Sequence, residues 1–181
     1  MNFTETPLKG SYIITINPIG DSRGWFARTY CKNEFLNIGH NKEWVQINHS
    51  FTSLKGTIRG LHFQQKPFTE IKLLRCISGS VFDVIVDLRK DSPTFLKWFG
   101  IELSAENKKM LYIPEGFAHG FQTLENNTEL IYHHSEFYNA ESEAGLRFDD
   151  NLLNIIWPLE TTEISERDKK HQLLNSTFKG L

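Results

Sequence analysis

Cysteine is nearly absent from this 181-residue chain: Cys31 and Cys76 are too few for a disulfide framework and lack metal-ligand spacing. An excess of one charge is absent as well. The 20 Lys+Arg against 22 Asp+Glu leave a formal net charge of −2, without the basic footprint of nucleic-acid binders. No apolar run approaches the ~18 residues of a membrane span. The opening stretch MNFTETPLKGSYIITINPIG has no basic n-region, apolar core or small-residue cleavage site. These absences predict a cytoplasmic protein with reduced thiols. No repeat, low-complexity tract or Pro/Ser-rich linker divides the chain, so 1–181 is expected to be one domain with its own core. Methionine is scarce, at 2, but rings are plentiful, with 14 Phe, 5 Tyr and 4 Trp. Such a surplus fits a β-rich core or a stacking site, and composition does not choose between them.

Short β-strands separated by turn chemistry account for most of the pattern. They are expected at 12–16, 25–30, 44–50, 57–64, 71–78, 80–88, 97–103, 108–113, 117–123 and 129–135. The clearest is SVFDVIVDL, where Phe82, Val84, Val86 and Leu88 point one way and Asp83 and Asp87 the other. Turns are marked by Ile-Gly-Asp at 19–21, Ser-Gly at 78–79, Asp-Ser-Pro at 91–93, Pro-Glu-Gly at 114–116 and Asn-Asn at 126–127. Strands at ~8–12-residue spacing with almost no intervening helix predict an all-β sandwich or barrel. Helical signals lie at the edges. KNEFLNIG places Phe35 and Ile38 three apart and stops at Gly39, and Ser165 with Asp168 has the form of a capping box. A short helical segment is expected within about 150–181, followed by a loosely held tail after His171.

Six of the seven histidines fall between His40 and His134, inside the β-rich section. The run from Pro114 through Gly116 to His119 resembles the second motif of cupin barrels, in which a turn aims a histidine into the barrel mouth. The first cupin motif, usually H-x-H with a following Glu, reads His62-Phe63-Gln64, with Glu70 beyond the usual spacing and Lys72 in the same strand. A protonated lysine repels a divalent ion and supplies no lone pair, which disfavours a metal-dependent cupin. The same residue types suit proton abstraction beside a carbonyl. Histidine is the usual base near neutral pH, and a cation such as Lys72 can hold an enolate oxygen as charge develops. Tyr132, alternating with Leu130, would return the proton from the opposite side. Taken singly each has a plain structural explanation: His62 as a hydrogen-bonded core histidine, Lys72 as a snorkelling strand residue, Tyr132 as core filler, Asp168 as a helix cap. Only the combination favours chemistry.

The ordered motifs extend across nearly the whole chain. They run Asp21-Ser22-Arg23-Gly24, Gln46-Ile47-Asn48-His49-Ser50, Ile58-Arg59-Gly60-Leu61-His62-Phe63-Gln64, Lys72-Leu73-Leu74-Arg75-Cys76 and Val86-Asp87-Leu88-Arg89. They continue as Ser92-Pro93-Thr94, the 113–121 run, Trp157-Pro158 and Ile164-Ser165-Glu166-Arg167-Asp168. In these the chain resembles the dTDP-4-dehydrorhamnose 3,5-epimerase family, cupin-like jelly rolls that work without metal or other cofactor. The resemblance implies His62 as general base, Asp168 as its orienting partner, Lys72 at the enolate oxygen and Tyr132 as the acid. It also implies substrate-binding roles for Arg23, Arg28, Gln46, Asn48, Arg59, His119, Tyr138, Glu143 and Arg167. Guanidinium groups suit diphosphate oxygens, and rings suit the base. A homodimer is implied, in which N-terminal residues, Arg23 among them, reach the neighbouring site.

Three departures from the family pattern fall among binding residues: Arg28 where Glu is usual, Ile47 in place of Asp, and His133 in place of Lys after Tyr132. They leave open a CDP-linked or other activated 4-keto sugar, inversion at C3 or C5 alone, or a non-catalytic nucleotide-sugar-binding cupin. Arg59 and His62 have opposite strand parity, so both reach one pocket only if a bulge near Gly60 resets the alternation.

Overall fold

A computed structural model describes residues 1–175 and 177–181. Among these residues the chain forms, in order, β1 (Asn2–Glu5), β2 (Tyr12–Thr15), β3 (Ile19–Asp21), β4 (Gly24–Phe26) and helix α1 (Lys32–Phe35), which runs into a 3-10 turn at Leu36–Ile38. Then follow β5 (Gln46–Thr52), β6 (Thr57–Gln64), β7 (Lys72–Ser78), β8 (Ser80–Asp87), β9 (Trp98–Ser104), β10 (Lys109–Ile113), β11 (Phe117–Thr123) and β12 (Thr128–His134). The chain closes with β13 (Glu143–Gly145), β14 (Glu163–Ile164) and helix α2 (Glu166–Lys169). All ten expected strands overlap observed ones. Those not foreseen, β1, β3, β13 and β14, have two to four residues, too few to display alternation. Gly39 ends the 3-10 turn in the left-handed region, as its position after the helical pattern predicts.

Apart from the β3–β4 pair, the described strands form two sheets, in the orders β1-β2-β10-β7-β12-β5 and β13-β6-β11-β8-β9, with β14 added in parallel beside β6. Leu74, Leu111 and Leu130 from the first sheet meet Val81, Ile85 and Phe121 from the second in one buried cluster, which is the interior of a jelly roll. No helix among the described residues is long and apolar enough to cross a membrane.

Two expectations need correction. The Ile-Gly-Asp run is not a turn: it is β3, paired with β4 in a two-stranded hairpin whose turn is Ser22-Arg23. The expected strand over 25–30 therefore stops at Phe26. On β8 the Asp83 face is the interior one, alongside Val81 and Ile85. Val84, Val86 and Leu88 point outward and are covered by Leu146, Leu153, Trp157, Leu174, Phe178 and Leu181. That cover gives the second correction. The tail is tied down, with Leu181 N–H donating to Leu88 O at 2.8 Å and the Phe178 ring stacked on Phe95.

Candidate active site

A cavity of about 490 Å³ opens at one end of the roll, with walls from both sheets. From the first sheet come Gln46, Asn48 and Ser50 on β5, Lys72 on β7, and Tyr132 and His134 on β12; from the second come Arg59 and His62 on β6 and His119 on β11. Tyr138, Glu143, Arg167 and Asp168 complete the rim.

Local strand geometry explains how Arg59 and His62 share it. His62 pairs with His119, but Arg59 pairs with Phe121, so β6 carries one extra residue and the alternation resets. The extra residue is accommodated at Gly60, whose φ is +117° and whose added Cβ would lie 2.6 Å from Gly120 Cα. The bulge also frees the Gly60 N–H, which donates to Asp168 Oδ2 at 3.1 Å. Asp168 Oδ1 accepts from His62 Nε2 at 2.8 Å. Only half of the expected capping box forms: the Asp168 N–H donates to Ser165 Oγ at 3.1 Å, and the carboxylate turns away from the cap toward β6. With Nε2–H committed to Asp168, the imidazole lone pair lies on Nδ1, ready to take a proton.

Burial works to raise the Asp168 carboxyl, but the bonds from His62 and Gly60 and the Arg167 charge outweigh it and hold the group well below the usual carboxylate range. A carboxylate held low contributes stability that is complete above about pH 4 and is lost as pH falls toward its native value. Asp168→Asn is therefore expected to lower Tm at neutral pH by about 4–8 °C, the scale of two weakened charge-assisted bonds. It should also flatten the fall in Tm below about pH 4. Thermal melts across that range check both.

Lys72 shares its strand face with Leu74 and Cys76, which puts a charged side chain beside the apolar interior. Its ammonium is 3.1 Å from Glu70 Oε1 and 3.4 Å from the His62 carbonyl oxygen. On the facing sheet from His62, the Tyr132 hydroxyl is 3.2 Å from Ser50 Oγ. Burial pushes this phenol up from its ordinary value, so it keeps its proton throughout the neutral range and can donate one. His119 Nε2 meets both oxygens of Asp83 at 3.0 and 3.1 Å. Burial drives the Asp83 carboxyl upward, and the facing His119 pulls it partly back. At the rim Glu143 accepts from Tyr138 and from Arg167, each at 2.9 Å, and Arg167 Nε reaches Asp168 Oδ1 at 3.2 Å.

Eleven of the thirteen expected site residues thus line one cavity. Arg23 and Arg28 do not. Arg23 sits at the turn of the β3–β4 hairpin, 88% exposed and paired with Asp21. Arg28 is paired with Glu34 at 3.0 Å, where the Met1 amino group also binds, so its charge is spent outside its own chain's cavity. Sequence reasoning missed several cavity or supporting residues, among them Asp83, Glu70, His134 and His171. Asp83 was read only as part of the β8 alternation, and Glu70 was weighed only as a metal ligand. His134 and His171 stand in no recognisable motif.

The cupin ligand positions are each held by other partners. His62 binds Asp168, His119 binds Asp83, Glu70 binds Lys72 and His134, and Gln64 donates to the carbonyls of Phe68 and Phe137. One group among the described residues, His62, Asp168 and His171, brings its ligand atoms within 4.8 Å. Arg167 lies 3.0 Å from His62 Nε2 and 3.2 Å from Asp168, a fixed positive charge that opposes a cation there.

Comparison with known proteins agrees with this geometry. The family model described as dTDP-4-dehydrorhamnose 3,5-epimerase matches residues 5–176. A dTDP-4-dehydrorhamnose 3,5-epimerase of Shigella flexneri is 45% identical over 169 residues, 93% of each chain. Two solved structures superpose closely. The Bacillus anthracis enzyme of that name, with TDP and PPi bound, has a TM-score of 0.93 at 41% identity, over 96% of this chain and 99% of its own. The Legionella pneumophila dTDP-6-deoxy-D-glucose-3,5-epimerase, in complex with dTDP-4-keto-L-rhamnose, has a TM-score of 0.92 at 39% identity, over 97% and 94%. A jelly roll whose cavity sets a carboxylate-backed histidine against a half-buried tyrosine, matched along nearly its whole length, places this chain in the dTDP-4-dehydrorhamnose 3,5-epimerase family.

Proposed function

We propose that the protein is a cofactor-independent isomerase that converts dTDP-4-dehydro-6-deoxy-D-glucose to dTDP-4-dehydro-L-rhamnose. The observation that carries this reading is the opposition of His62, backed by Asp168, and Tyr132, held protonated on the other sheet. His62 Nδ1 removes the proton from a carbon next to the C4 carbonyl, and the bond's electrons move onto the C4 oxygen. The Lys72 ammonium stabilises that enolate. Tyr132 then delivers a proton to the opposite face, inverting the carbon, and proton exchange with water resets both residues. Asp168 holds the His62 tautomer and stabilises the imidazolium between the two transfers, as a buried carboxylate does for other histidine bases. Arg59, His119 and Arg167, with Gln46, Asn48, Tyr138 and Glu143, would hold the diphosphate and nucleoside. The dTDP-sugar complex of the Legionella relative supports that choice of substrate class.

The working unit in this reading is a homodimer. The β3–β4 hairpin projects Ile19 and Phe26 at 77% and 76% exposure, Ile47 and Phe51 are exposed on the edge strand β5, and Arg23 rides on the hairpin turn outside its own cavity. An edge strand with exposed apolar side chains suits a second copy, which would bring Arg23 to the partner's diphosphate.

Incubation with dTDP-4-keto-6-deoxyglucose in deuterated water tests the activity: deuterium should enter at C3 and C5. No incorporation from this sugar or its CDP-linked analogue would sink it, and label at one carbon alone would reduce it to a single inversion. The same preparations sized by light scattering should be dimeric; a fully active monomer overturns the shared-site part.

A further inference from the structure

Glu70 takes no part in the proton transfers above, yet it occupies the cavity wall between two basic side chains. Its Oε1 is 3.1 Å from Lys72 Nζ, and its Oε2 accepts from His134 Nδ1 at 2.7 Å. All three side chains are deeply buried, at 10%, 10% and 11% exposure. Lys72 needs such an anchor. A lysine reaches its task on a flexible four-carbon stem, and its only other hydrogen bond among the described residues, to His62 O at 3.4 Å, is too long to hold it. His134 in turn is fixed from two sides. Its ring stacks on Tyr132 at 6.2 Å, and its Nε2 lies 3.4 Å from Asn48 Nδ2. In the sheet, His134 pairs directly with Lys72 on one side and Gln46 on the other, so the row is built into the strand register.

We propose that Glu70, braced by His134, is a positioning residue that holds the Lys72 ammonium where negative charge develops on the substrate's C4 oxygen. Glu70 touches no reacting atom and acts through Lys72. The proposal rests on the epimerase reading, because the oxygen that Lys72 serves is defined by it. Electrostatics agree with the geometry. Burial disfavours the Glu70 carboxylate, but the His134 bond and the Lys72 charge more than compensate and hold it ionised, below its ordinary value. A charged carboxylate this close keeps Lys72 in place before substrate enters.

Glutamine at this position keeps the shape of the brace. Its amide oxygen still accepts from Lys72, and its amide N–H meets His134 in the other tautomer. Glu70→Ala is expected to lower kcat for deuterium incorporation by about 30- to 100-fold with KM within about threefold, the scale of an ~1 Å misplacement. Glu70→Gln should recover to within about fivefold of wild type, because the geometry is restored. In a Lys72→Met background, Glu70→Ala should cost less than about threefold further, since two residues acting through one group are not additive. The same factor in both backgrounds, or a Gln variant as slow as the Ala variant, overturns the proposal. A second readout does not depend on turnover. The Lys72 ammonium should give a sharp, slowly exchanging ¹H–¹⁵N signal in the wild type and Glu70→Gln and lose it in Glu70→Ala. An unchanged signal in Glu70→Ala overturns the positioning role whatever the enzyme's substrate, whereas a wild type that exchanges no deuterium overturns the epimerase reading instead.

Discussion

His62→Ala is expected to abolish deuterium incorporation at both carbons, a loss of about 10³–10⁴-fold in turnover. The variant should still fold and bind nucleotide. The imidazole is 26% exposed at the cavity wall, and without it Asp168 keeps the Gly60 N–H and Arg167, so no buried charge is left alone. The loss should therefore appear in kcat, with dTDP affinity by calorimetry changed by no more than about threefold. Retained exchange would remove His62 from the base role. A loss of binding equal to the loss of rate would instead make it a binding residue.

Tyr132→Phe should separate two events that the wild type performs together. His62 and Asp168 remain, so the proton next to the carbonyl still leaves and deuterium still enters the recovered substrate from the same face. Inversion needs a donor on the other wall, and the formation of inverted product should fall by about 10²–10³-fold. NMR of one reaction reads both quantities, as label retained with the original configuration and as new product. Folding is expected to be little affected, since the hydroxyl's one hydrogen-bond partner among the described residues is Ser50, itself half-exposed at the cavity. Exchange and inversion falling by the same factor would mean that Tyr132 is needed for proton removal as well, and the two-face scheme would fail.

The strands were legible because they are short, bounded by turn residues and alternating; which face looks inward was not. On β8 both faces are buried, one against the interior and one against the C-terminal segment, so alternation separates two apolar environments that hydrophobicity alone cannot tell apart. That ambiguity hid Asp83. It also made the tail look unattached, because Leu174, Phe178 and Leu181 follow no helical or strand period and dock singly. The His62–Asp168 pair spans 106 residues, a separation that no local pattern reports, and it entered only through the resemblance of ordered motifs. One consequence of local pattern was readable in full. Conflicting parity at Arg59 and His62 demanded a bulge near Gly60, and the β6–β11 register supplies it. Glu70 and His134 stayed hidden for the opposite reason: each belongs to an ordinary strand or its margin, and their meeting depends on β7 and β12 lying side by side.

The carboxylate behind His62 stands on α2, just before a segment that covers the outer face of β8. On a ribosome the order of events follows. The strands that form both cavity walls emerge first, but His62 has no carboxylate behind it until α2 docks on β6. A cut between β14 and α2 would remove two things at once: Asp168, the partner of His62 Nε2, and the side chains of Leu174, Phe178 and Leu181 that cover β8.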